Sequence, residues 1–123
     1  MSSLIFVWKV LPVLLKGMVT TIELAVIAIT VGTLIGLIIA LLKIDHRPYL
    51  NWIGSFYTWF FRGIPLLVQL IFLYYGLPAI GIVLTPYSAA AIGLSLCGGA
   101  YIAEIIRAGI QSIEKGQMEA ALS

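Results

Sequence analysis

LAVIAITVGTLIGLIIALL, residues 24–42, runs for nineteen residues without a charged side chain. A helix that crosses a bilayer needs about 20 apolar residues, with a range of roughly 17–25. Residues 64–84 supply twenty-one more without a charge, and residues 87–103 supply seventeen. The third stretch reaches spanning length if its helix continues through Ile105 and Ile106 to residue 107. Lipid offers the backbone no hydrogen-bond partners, so such segments are expected as helices. They are too long and too evenly apolar for the strands of an outer-membrane barrel. The expected class is therefore all-α, a polytopic membrane protein with spans at 18–42, 64–84 and 87–107.

Composition agrees with that reading. Hydrophobic residues make up 62% of the 123 and charged residues 10%, against about 45–50% and about 25% in soluble domains. A net charge of +2 carried by scattered basic residues gives no basic patch for nucleic acid. The first sixteen residues lack the basic start of a signal peptide and carry Lys9 inside the apolar run, so they read as mature protein.

Residues 48–62 are a different kind of segment. Tyr49, Trp52, Phe56 and Phe60 recur at helical spacing, and Asn51, Ser55, Thr58 and Arg62 recur on another face. That pattern predicts an amphipathic helix with Pro48 in its first turn. Aromatic rings favour the membrane boundary, so it is expected along the interface or packed on the spans. Residues 4–15 are too short to cross and contain Lys9 and Pro12, and they are expected as a second interfacial piece. Residues 78–86 read as a tight hairpin.

Lys and Arg counts orient the chain. Lys9 and Lys16 share one side, while Lys43, Arg47, Arg62, Arg107 and Lys115 share the other. The basic side is the cytoplasmic one, which puts the N-terminus outside and the C-terminal tail inside.

Few residues offer chemistry. There is no phosphate-binding glycine loop. A single His46 and a single Cys97 build neither a metal cluster nor a nucleophile pair, and no catalytic site is expected. Gly32 and Gly36, four apart, suit close helix packing. Gly98 and Gly99 suggest close backbone approach or a hinge. Glu104 and Arg107 lie three apart on one helical face and fit either an interfacial ion pair or a place on a solute path, with Tyr101 beside them. Gln69 is the strongly polar side chain of the second span. It suits an interhelical hydrogen bond or contact with a polar solute. Beyond Arg107 the chain turns polar, and Gly116 is expected to break the helix before a short helical stretch.

Three runs resemble a known family. Residues 61–70, FRGIPLLVQL, residues 100–107, AYIAEIIR, and residues 113–121, IEKGQMEAA, resemble motifs of the permease subunits of bacterial ABC importers for polar amino acids. The third looks like the start, over 113–123, of their cytoplasmic EAA coupling loop. The resemblance implies the N-terminal part of a type I ABC importer permease fold. It implies a path formed with a second permease subunit, homo- or heterodimeric, in the bacterial inner membrane. It also implies a cytoplasmic ATPase subunit that binds the ATP, a periplasmic binding protein and a polar amino acid as solute. Gly116, Gln117, Glu119, Ala120 and Ala121 would then contact the ATPase. Gln69, Tyr101, Glu104 and Arg107 become candidates for the solute path, and no cofactor is expected on this chain. The family motif continues with a glycine two residues beyond Ser123 and then with further spans, so the chain resembles about the first half of such a subunit. The alternatives are a small three-span protein that assembles or regulates a partner complex, a non-functional permease fragment, or half of a secondary transporter.

Overall fold

In the computed structural model, which describes residues 1–123, the chain folds as helices without strands. Helix α1 runs Ser2–Ile44, α2 Pro48–Gly63, α3 Leu66–Ile71 and α4 Pro86–Leu122. Between α3 and α4 the chain passes through a π-helical segment, Phe72–Gly76, and a 3-10 turn, Leu77–Ile80. Helices α1 and α4 are long and apolar enough to cross a membrane, and α2 with the segment Leu66–Ile80 makes a third candidate bent by 96°.

Helix α1 corrects the expectation of an interfacial piece at 4–15 followed by a span at 18–42. It is one helix of 43 residues with Pro12 inside it, about 65 Å long at 1.5 Å per residue. Proline removes one helical N–H, yet Lys9, Leu11, Leu14, Leu15 and Lys16 around it are strong helix formers. At the point where a break was expected, the Thr20 hydroxyl donates to the Lys16 carbonyl and the Thr21 hydroxyl to the Gly17 carbonyl. Helix α1 ends at Asp45, whose carboxylate accepts from the Arg47 backbone N–H at 2.8 Å and from its guanidinium at 3.2 Å. The backbone bond first, then the side-chain bond, hold the Asp45 carboxyl below its ordinary pKa.

The second span is not the continuous helix expected over 64–84. Pro65 lacks an N–H and follows Ile64 in extended conformation, φ −102° and ψ 129°, which produces the sharp bend after α2. Beyond Ile71 the helix loosens into π and then tightens into 3-10 geometry. Gly76 permits the π turn, because a Cβ there would lie 2.9 Å from the Phe72 ring. Gly81 then takes φ 85°, a left-handed conformation that suits glycine, and the chain reverses toward α4. Thr85 caps α4 by accepting from the Ser88 N–H at 3.1 Å.

Helix α4 corrects a third expectation. It passes through Gly98, Gly99 and Gly116 without a break and carries the tail to Leu122 as helix.

Helices α1 and α4 share the longest interface, and small residues set their separation. A Cβ on Gly32 would touch the Gly99 nitrogen at 3.4 Å, and one on Gly36 would collide with Ile102 at 2.7 Å. From the other side, a Cβ on Gly99 would meet Ile35 at 2.8 Å. Where lipid supplies no hydrophobic drive between helices, such close backbone approach is what holds them. Ile39, Ala40 and Ala103 are buried at the heart of the contact, beside Ile35, Tyr57 and Ile106.

Candidate functional site

Below that crossing, α1, α2 and α4 converge on one carboxylate. Glu104 of α4 is paired with Lys43 at the end of α1 and with Arg107 one turn along its own helix, the latter at 2.7 Å. Lys43 also donates to the Thr58 hydroxyl of α2 at 2.9 Å. Arg62, near the end of α2, stands 4.0 Å from the same carboxylate with its guanidinium 5.5 Å above the Tyr101 ring. The Lys43 and Glu104 side chains are only 14% and 18% exposed. Three cations around one carboxylate leave the cluster at +2.

Local sequence explains how α2 reaches this point. Gly54 and Thr58 are its buried positions, and a Cβ on Gly54 would meet the Lys43 side chain at 2.7 Å and the Ile39 carbonyl at 3.1 Å. A glycine there lets α2 press on the last turn of α1. The Tyr57 hydroxyl then donates to the Leu96 carbonyl of α4 at 2.7 Å, a bond across 39 residues.

Gln69 occupies the elbow rather than the cluster. Its amide donates to the Phe61 and Ile64 carbonyls at 3.0 and 2.8 Å, which are among those left open where α2 ends. It is buried, and its Oε1 has no partner. Gln69 lines an apolar cavity of about 330 Å³ with Phe61, Val68, Phe72, Gly93 and Leu96. At the far end of the molecule, Tyr87 of α4 donates to Glu23 of α1 at 3.2 Å.

The expected site residues therefore separate into groups. Tyr101, Glu104 and Arg107 come together, whereas Gln69 lies apart on the elbow. Gly32, Gly36 and Gly99 lie in the α1–α4 contact, while nothing stands within 4 Å of where a Cβ on Gly98 would be. Gly116, Gln117, Glu119, Ala120 and Ala121 lie on the last turns of α4, where residues 111–123 are all exposed. Sequence reasoning missed Lys43, Gly54, Tyr57 and Thr58. The one available signal was Lys43 itself, a charge ending an apolar run.

Comparison with known proteins places the chain in a family. Residues 32–123 match the family model described as "Binding-protein-dependent transport system inner membrane component". The chain is 44% identical over 115 residues to the arginine transport system permease protein ArtQ of Bacillus subtilis, covering 92% of this chain and 52% of that protein. It is 45% identical over 109 residues to the putative glutamine transport system permease protein GlnP of Rickettsia bellii, covering 88% and 50%. A solved structure titled "Crystal structure of an amino acid ABC transporter with histidines" superposes with a TM-score of 0.88 at 40% identity, covering 95% of this chain and 55% of that one. The chain spans about half the length of the curated relatives it matches.

Proposed function

We propose, from the premise that this chain belongs to the binding-protein-dependent transport system inner membrane component family, that it acts in a permease subunit of an ATP-driven importer of polar amino acids. The observation that carries the reading is the α4 helix. Its middle turns lock onto α1 and α2 through Gly99, Ala103 and Glu104, and its last turns project as an exposed helix bearing Gln117, Glu119, Ala120 and Ala121. A force applied to the projecting end is thereby transmitted rigidly into the bundle. Small side chains at 120 and 121 suit a helix that must seat closely in a partner's cleft.

In this reading ATP is bound and hydrolysed by a cytoplasmic ATPase subunit, which grips the end of α4. A second permease subunit completes the path, and a periplasmic binding protein delivers the amino acid. The basic residues at the Lys43–Arg107 end of the bundle support a cytoplasmic placement of that end. Within the path, Glu104 acts chiefly as the junction of three helices, since Lys43 and Arg107 already occupy its oxygens.

Affinity purification of the protein from its native membrane tests the reading. An ABC ATPase should co-purify, and Glu119→Ala together with Ala120→Trp should release it while membrane insertion stays normal. Retention of the ATPase by that double variant, or purification without any ATPase, would overturn the proposal.

A further inference from the structure

The outward side of α2 carries a feature that the transport reading does not use. Tyr49, Trp52, Phe56, Trp59 and Phe60 are all exposed. Their rings form a ladder, with Trp52 stacked on Phe56 at 5.5 Å and Phe56 on Phe60 at 6.0 Å. Helical spacing sets Asn51, Ser55 and Arg62 along a polar stripe bordering this band, while Gly54 and Thr58 face α1. An aromatic band edged by a polar, cationic line is the layout of a helix lying at the boundary between headgroups and acyl chains.

Arg62 supplies the selective element. Arg107 and Lys43 hold the Glu104 oxygens by hydrogen bonds, whereas Arg62 stands at 4.0 Å and makes no hydrogen bond to any group of the chain. Its side chain is 47% exposed and is steadied over the Tyr101 ring by cation–π attraction. A guanidinium presents five N–H donors in a fork that fits a phosphate. Counting Arg62, the cluster is +2 even with the Glu104 carboxylate 4.0 Å away, and α2 contains no acidic residue, so the net charge here favours an anion.

We propose that the outer face of α2 binds an anionic phospholipid, with the headgroup phosphate on Arg62 and the acyl chains against the Trp52–Phe60 aromatic band. The occupant is a lipid rather than free phosphate because the aromatic band and the guanidinium are continuous on one helix. The proposal is independent of the ATPase and of any transported solute.

Native mass spectrometry of the purified chain, exposed to equal amounts of phosphatidylglycerol and phosphatidylcholine, tests it. The wild-type chain should retain phosphatidylglycerol preferentially. Arg62→Ala should lower that preference by about fivefold, the loss expected for one basic residue at an anionic surface. Ser55→Asp, which sets an acid on the same stripe and leaves Arg62 in place, should lower it similarly, and Lys115→Ala on the exposed tail should not. Equal retention of both lipids by the wild type, or an unchanged preference in both stripe variants, would overturn the proposal. So would millimolar inorganic phosphate binding at Arg62 with no lipid retained, or a second copy of the chain that covers α2 and excludes both lipids.

Discussion

Lys43 and Glu104 form an ion pair between the end of α1 and the middle of α4, across 61 residues of sequence. Through Thr58 and Arg62 the same pair reaches α2, so one carboxylate ties three helices together. Removing one partner of a largely buried pair leaves the other charge uncompensated, at a cost of about 3–5 kcal/mol. Glu104→Ala should therefore lower stability by about 3 kcal/mol, read as thermal unfolding in detergent. Glu114→Ala, on the exposed tail, should leave it unchanged. Equal unfolding temperatures for the two variants would remove Glu104 from the junction.

Gly36 of α1 and Gly98 of α4 make a sharp contrast. Gly36→Ala places a methyl against Ile102 and the Ala103 backbone, and overpacking of that kind costs about 1–3 kcal/mol. Gly98→Ala meets nothing and should stabilise the helix by up to about 1 kcal/mol through helix propensity. Thermal unfolding of the two variants should move in opposite directions. A loss of stability in Gly98→Ala would place that residue in a contact the fold does not show.

Gln69 donates to two carbonyls at the elbow, and burial makes their loss costly. Gln69→Leu removes both bonds, each worth about 1 kcal/mol, and should lower stability by about 2 kcal/mol. Cysteine pairs placed on α2 and α3 should also cross-link over a wider range of separations in the variant. Unchanged stability and an unchanged cross-linking pattern would show that Pro65 alone sets the bend.

Much of the architecture was legible because apolar length is a local property. The run 24–42 announces a membrane helix whatever its neighbours do, and the alternation of Trp52, Phe56 and Phe60 with Ser55 and Arg62 announces α2. Three motifs in order were enough to place the family. What stayed hidden depended on distance or on backbone detail. Nothing local marks Lys43 as the partner of Glu104, and nothing marks Gly54 as the point where α2 touches α1. The run 64–84 is free of charge, and its apolar length hid the passage from α to π to 3-10 geometry that Pro65, Gly76 and Gly81 accompany. At 4–15 the error ran the other way: Lys9 and Pro12 mark the segment as a separate piece, but one missing N–H within a long helix is tolerated.

A further consequence concerns the projecting end of α4. Residues 111–123 are exposed, so Ala120 and Ala121 contribute little to folding. Ala120→Leu should leave thermal unfolding within about 0.5 kcal/mol of wild type, as for ordinary surface changes, while weakening solute-stimulated ATP hydrolysis in the assembled transporter. A change in both quantities would mean that the tail packs on the bundle instead of serving a partner.

The proposed function is a part in ATP-driven uptake of a polar amino acid. Its most direct test is uptake of radiolabelled amino acids by proteoliposomes holding the natively purified complex, with ATP inside and binding protein outside. The account predicts uptake that requires ATP and is abolished when the phosphate-binding lysine of the co-purified ATPase is replaced. Uptake that persists in that variant on a proton or sodium gradient would contradict it.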